Sequence, residues 1–244
     1  MPRKKTNYRI GTSGWQYGDW KGVFYPAKLK PTDWIRFYSK KFSTVEVNAT
    51  FYRKIKSETF KKWYLITPRD FLFSIKISRE ITHFKRLKIE KSLIGDFLRR
   101  LTPLKEKLGV ILIQLPPSLK FDSYLLSDFC EMLSKKHKYA IEVRNRTFLN
   151  DNFLNILKKH NIAFCIADTA GRHPYYEAIT TDFIYIRLHG SKSLYTSQYT
   201  TKELKMWTSK IEKWNLTTYI YFDNDYKGYA VKNALKLEKL LAQP

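Results

Sequence analysis

Thr44-Val45-Glu46-Val47-Asn48, Ala140-Ile141-Glu142-Val143-Arg144 and Tyr185-Ile186-Arg187-Leu188-His189 share one pattern: a short apolar run with charged or amide residues at its last alternate positions. Side chains alternate across a strand, so Glu46 shares a face with Asn48, Glu142 with Arg144, and Arg187 with His189. Val45, Val47, Ile141, Val143, Ile186 and Leu188 then point the other way, into an apolar layer. Three further runs end alike, Leu72–Lys76 in Lys76, Ile111–Gln114 in Gln114, and Phe164–Asp168 in Asp168. Strands that deliver polar groups at the same end build the floor of one pocket.

Working outward, strand patterns fall at Tyr8–Thr12, Ser43–Asn48, Phe71–Lys76, Gly109–Gln114, Tyr139–Arg144, Ile162–Asp168, Phe183–His189 and Thr218–Asn224. Amphipathic stretches near 31–41, 57–66, 89–105, 122–136, 150–160, 201–214 and 228–241 separate or follow them, and only 169–182 lacks a long helical pattern. Roughly eight β/α units in about 250 residues is the arithmetic of an α/β fold of the TIM (β/α)8 barrel type. A doubly wound open sheet would place Gly-x-Gly-x-x-Gly after its first strand. The turn here reads Gly11-Thr12-Ser13-Gly14-Trp15 and does not match. The organisation expected is a basic tail over residues 1–7 ahead of a single domain over 8–244.

The 244 residues are 43% hydrophobic and 16% aromatic, enough for a large core. No run approaches the roughly 20 apolar residues of a membrane span, and no apolar segment follows Met1-Pro2-Arg3-Lys4-Lys5 as in a secretory signal. The two cysteines, Cys130 and Cys165, sit on a helical pattern and inside a strand, so no disulfide is expected and a cytoplasmic location is the default. The balance of 45 Lys+Arg against 22 Asp+Glu gives a net charge of +23, a field that attracts anions and makes nucleic acid a candidate partner. The basic residues are spread rather than blocked, which equally suits a solvated surface.

In a barrel the residues at the carboxyl ends of strands form the active site. Glu46, Glu142, Asp168 and His189 are therefore the catalytic candidates, as carboxylates able to act as acid or base and an imidazole that titrates near neutrality. Asn48, Lys76, Gln114, Arg144, Arg187 and Asn224 are the candidates for holding a small polar or anionic substrate, with Trp15 and Tyr52 as stacking residues on the rim. The competing reading is a self-satisfied ion network that merely plugs the barrel. Glu46, Glu142, Asp168 and His189 would also suit a divalent metal; three cations in the same cup argue against it, and no cofactor is assigned. The loops His189–Ser193 and Asn224–Gly228 are weak candidates for a phosphate cradle.

These segments together resemble the YecE-like family, a domain of unknown function numbered seventy-two. The resemblance is carried by Gly11–Trp20 with Phe24-Tyr25-Pro26, Val45–Arg53, Phe73–Lys76 with Ile81-Thr82-His83, and Gln114–Pro117. Ala140–Arg144, Ala167-Asp168-Thr169, Ile186–Gly190 and Tyr221–Asp225 with Gly228 and Ala230 complete it. It spans about residues 8 to 241 and implies a TIM barrel, without implying a reaction. Asn145-Arg146-Thr147-Phe148 stands where the family commonly has His-x-x-Trp, which weakens any role for a histidine after the fifth strand. The leading expectation is an enzyme doing acid–base chemistry, whether hydrolase, lyase or isomerase. A nucleic-acid-binding or nucleic-acid-processing barrel and a non-catalytic binding module are the alternatives.

Overall fold

The computed structural model describes residues 8–243; the basic tail at 1–7 lies outside them. Eight parallel strands form one sheet in the order β1-β8-β7-β6-β5-β4-β3-β2, curled into a nearly closed barrel. They are β1 (Tyr8–Thr12), β2 (Thr44–Val47), β3 (Leu72–Lys76), β4 (Leu108–Gln114), β5 (Lys138–Glu142), β6 (Ile162–Asp168), β7 (Phe183–Leu188) and β8 (Thr217–Phe222). The helices are α1 (Trp34–Tyr38), α2 (Ala49–Tyr52), α3 (Ser57–Ile66), α4 (Lys91–Leu101), α5 (Ser123–Met132), α6 (Asp151–Lys159), α7 (Thr201–Trp214) and α8 (Tyr229–Leu241). The connection from β6 to β7 contains no helix, as its sequence pattern implies. Cys130 and Cys165 are free thiols.

Capping side chains set several helix starts. Asp122 accepts the Leu125 N–H at α5 and Asn150 the Phe153 N–H at α6. Thr200 and Glu203 form a reciprocal capping box at α7, satisfying donors that the first turn leaves orphaned.

Alternation sorts the strands into two apolar layers. Val45, Ile75, Ile111, Ile141, Ile166, Ile186 and Ile220 join the outer layer under the helices. Val110, Leu112, Ala140, Ala163, Cys165, Ala167, Phe183, Tyr185, Tyr219 and Tyr221 fill the barrel interior. Small residues on β5 and β6 face large rings on β7 and β8, which is how a close-packed interior is reached without voids. The Tyr221 hydroxyl lies 2.8 Å from Thr44 Oγ1 and 2.7 Å from Ser74 Oγ, so this ring is buried with its polar end satisfied.

The barrel closes between β1 and β2 through a single parallel bridge, Ser13 to Glu46, rather than a ladder. Below it the Tyr38 hydroxyl on α1 stands in for the missing strand pairing. It accepts the Thr12 N–H at 2.9 Å and donates to the Thr44 carbonyl at 3.2 Å. Gly11 permits the approach, because a Cβ there would lie 2.2 Å from the Thr44 carbonyl oxygen. The seam thereby delivers Ser13 and Glu46 side by side to the mouth of the barrel.

Candidate active site

Arg187, at the end of β7 and 1% exposed, is the centre of the mouth. Its Nε and Nη2 meet the Glu46 carboxylate at 3.0 and 2.7 Å. Nη1 donates to Glu142 Oε2 at 2.7 Å and Nη2 to Asp223 Oδ2 at 2.9 Å. Nη1 also lies 3.1 Å from His189 Nε2. A guanidinium only donates, so Nε2 can only accept in that contact, while Nδ1 lies 2.9 Å from Asp223 Oδ2. Glu46 takes further bonds from Ser13 Oγ at 2.9 Å and Tyr185 OH at 2.7 Å. Glu142 takes Gln114 Nε2 at 2.8 Å and Arg144 Nε at 3.2 Å.

Burial alone would raise the Glu142 carboxyl, but Arg187 and Arg144 outweigh it and hold the acid well below the usual carboxylate range. Asp223 is treated the same way: burial raises it, the Arg187 guanidinium wins, and its titration falls below the ordinary aspartate value. Asp225 goes the opposite way, pushed up to about 8 by burial and by the neighbouring Asp223 charge, with the Tyr17 hydroxyl opposing. Two carboxyls two residues apart thus favour opposite protonation states at neutral pH.

Lys76 is 6% exposed in the same cup, its Nζ 4.1 Å from the centre of the Phe51 ring. Burial and the Arg187 charge lower it to about 8. His83, edge-on to the same ring at 4.9 Å, is lowered to about 4 by burial and by Lys76 and Arg144, and is neutral at pH 7.

Glu46, Glu142, His189, Lys76, Gln114, Arg144 and Arg187 therefore lie together, and Asn48 stands at the edge as the residue before α2, with its Oδ1 buried and unpartnered among the described residues. Two candidates do not join them. Asp168 is level with Leu188 and on the outward face of β6, where Cys165 and Ala167 take the inward positions. It accepts bonds from Tyr199 OH at 2.9 Å and from the Ala170 N–H. Asn224 also faces outward and donates to the Ser197 carbonyl and to Asn233 Oδ1. Its neighbour Asp223 holds the inward place instead. A metal set of Glu46, Glu142, Asp168 and His189 is consequently not assembled, and among the described residues no group of three or more His, Cys, Asp or Glu is arranged to hold a metal ion.

Trp15 is 3% exposed and packs edge-on against Trp63 at 4.9 Å, so it is chiefly a core residue. Trp20 and Tyr25 are likewise buried, and Tyr25 stacks on Trp34 at 4.7 Å. Tyr52 is 62% exposed and walls a cleft of about 560 Å³ that begins at Ser13 and Asn48 and continues past Arg53, Lys54 and Lys56. The loop after β7 offers no phosphate cradle at Lys192 and Ser193, whose N–H groups both donate to Ser197 Oγ.

Fold and mouth together define a (β/α)8 barrel with a charged cup at the carboxyl ends of its strands. The profile described as "Protein of unknown function DUF72" matches residues 9–244, and the chain belongs to that family. UPF0759 protein YecE of Escherichia coli K12 is 25% identical over 237 residues, covering 87% of this chain and 84% of the relative. UPF0759 protein YunF of Bacillus subtilis 168 is 25% identical over 267, covering 95% and 94%. The crystal structure of a DUF72 family protein from Thermotoga maritima MSB8 superposes with a TM-score of 0.87 at 31% identity, covering 97% of this chain and 99% of that one. One from Enterococcus faecalis V583 gives 0.84 at 21% identity, covering 97% and 96%, a likeness of fold.

Proposed function

We propose that the protein is an enzyme that moves protons on a small polar, anionic substrate bound in the cup above Arg187. The observation that carries this reading is the convergence of Glu46, Glu142, Asp223 and His189 on Arg187 at the strand ends, with the Asp225 Oδ1 two residues on buried and unpartnered among the described residues. Asp225 is raised to about 8 and is mostly protonated at pH 7, while Asp223 and Glu142 are lowered. Carboxyls driven apart in this way supply an acid and a base in one site. Asp225 is the acid in this scheme. Glu142, already bound by Gln114, Arg144 and Arg187, positions the cationic groups. Arg144, with 17% of its side chain exposed, is the cation placed to meet a substrate anion. An inert plug has no use for a carboxyl kept protonated at the rim.

The test is a thermal-shift screen of small sugar acids and sugar phosphates against three proteins. A ligand should raise the melting temperature of the wild type and of Asp225→Asn, and fail with Arg144→Ala. Turnover of that ligand should be lost in Asp225→Asn. Equal response of all three proteins, or full turnover by Asp225→Asn, would remove the reading.

A second reading, nucleic-acid binding, is favoured by the cleft beside the cup, where exposed Tyr52 stands among Arg53, Lys54 and Lys56. An aromatic face among cations suits a base next to its phosphates.

A further inference from the structure

Three carboxylates share the cup with Lys76, yet none is bonded to it. Glu46, Glu142 and Asp223 all turn to Arg187, and Glu142 is further taken by Gln114 and Arg144. Among the described residues the close contact of Lys76 Nζ is the face of Phe51. A buried cation without an ion-pair partner is costly, and the group answers by giving up its proton more readily. With a value of about 8, roughly a quarter of Lys76 is free amine at pH 7.5, against about 0.1% for an ordinary lysine. Such a group is a poor anchor for an anion, a task Arg144 performs without losing charge, and a good nucleophile.

We propose that Lys76 attacks a carbonyl substrate in the cup and holds it as an imine. The Nζ lone pair forms a bond to the carbonyl carbon, and one Nζ proton passes to the carbonyl oxygen, giving a carbinolamine. A second proton then converts that hydroxyl to water, which leaves as the C=N bond forms and the nitrogen takes the positive charge. His83 packs edge-on against the same Phe51 ring, with Nδ1 2.9 Å from Thr82 Oγ1, and its neutral imidazole serves as the proton relay in this scheme. The inference adds a substrate class to the proposed function: an aldehyde, ketone or oxo acid with an anionic group for Arg144. It rests on that reading for the proton supplied to the leaving hydroxyl.

The experiment is reductive trapping. The protein is incubated at pH 7 with pyruvate, glyoxylate or glycolaldehyde phosphate and sodium cyanoborohydride, whose hydride converts the iminium to a secondary amine. Peptide mass mapping then reads the rate at each lysine. With at least one carbonyl, Lys76 should be modified tenfold or more faster than exposed Lys54, Lys61 and Lys213, and Lys76→Arg should abolish only that fast phase. Modification of Lys76 no faster than the exposed lysines with all three carbonyls overturns the proposal. The rates are compared within one wild-type protein, so the result stands even if the variant fails to fold. Loss of turnover in Asp225→Asn without trapping at Lys76 refutes the imine alone. Trapping at Lys76 with full turnover in Asp225→Asn refutes the acid role of Asp225 alone.

Discussion

The Arg187 guanidinium and the Glu46 carboxylate meet as two forks across the barrel mouth, with Nε 3.0 Å from Oε2 and Nη2 2.7 Å from Oε1. They are 141 residues apart in sequence, on β7 and β2, and both are almost completely buried. The pair spans the two strands between them, so the same contact that organises the site also ties the closing seam to the far side of the mouth.

Removing one partner strands the other. Arg187→Ala leaves Glu46, Glu142 and Asp223 without their shared cation, and a buried pair broken from one side costs about 3–5 kcal/mol. Urea denaturation should show that loss, and Arg187→Lys should recover only part of it, because a point charge cannot satisfy three carboxylates at fixed angles.

The seam makes a separate prediction. Tyr38→Phe removes the hydroxyl that joins the Thr12 N–H to the Thr44 carbonyl and leaves a buried donor unpaired, at a cost of about 1–3 kcal/mol. Hydrogen exchange should quicken at Thr12 while the β7–β8 ladder keeps its protection.

Opposite pKa shifts give opposite pH signatures. Glu142 and Asp223 are lowered on folding, so their stabilisation is full above the unfolded carboxylate range and is lost as the pH falls below about 4. Asp225 is raised to about 8, so its contribution is full at low pH and is lost as the pH rises from about 4 to about 8. Asp225→Asn should therefore stabilise the protein by an amount that is small at pH 4 and grows to no more than about 5 kcal/mol by pH 8. Chemical denaturation at several pH values checks the slope.

Asp168 and Asp223 provide a paired control. Asp168→Asn alters a bond to Tyr199 on the outer face of β6, and Asp223→Asn alters the Arg187 network itself. Ligand binding in the cup should survive the first and weaken tenfold or more in the second, read by calorimetry with any ligand found in the thermal-shift screen.

If the cleft beside Tyr52 binds nucleic acid, gel shifts should weaken steeply as salt rises. Replacing Arg53, Lys54 and Lys56 by alanine should reduce both the affinity and the salt slope. Absence of binding at low salt removes this reading.

Most of this architecture was legible because several strands carry two polar residues, which fixes their parity. Glu46 with Asn48, Glu142 with Arg144, and Arg187 with His189 can be assigned to a face without a structure. Strand β6 has one polar residue at its end, and its inward positions are Cys165 and Ala167, small because Tyr185 and Tyr221 fill the space opposite. Nothing in Phe164–Asp168 marks that choice, so the sequence pattern alone puts Asp168 on the wrong face. For β8 the signal existed: Tyr219, Tyr221 and Asp223 alternate, and following them would have chosen Asp223 over Asn224. Asp225 and Tyr38 were beyond reach. The first owes its environment to Tyr17 and to Trp20, whose indole donates to the Asp225 carbonyl from a loop 205 residues away in sequence. The second completes a strand pairing from a helix.

The most direct test of the acid–base reading is carbon-13 NMR of the aspartate carboxyls, titrated from pH 3 to 10 and assigned with Asp223→Asn and Asp225→Asn. Asp225 should titrate with a midpoint near 8 while Asp223 stays ionised through the neutral range. Titration of Asp225 near pH 4, together with Asp223, would contradict it.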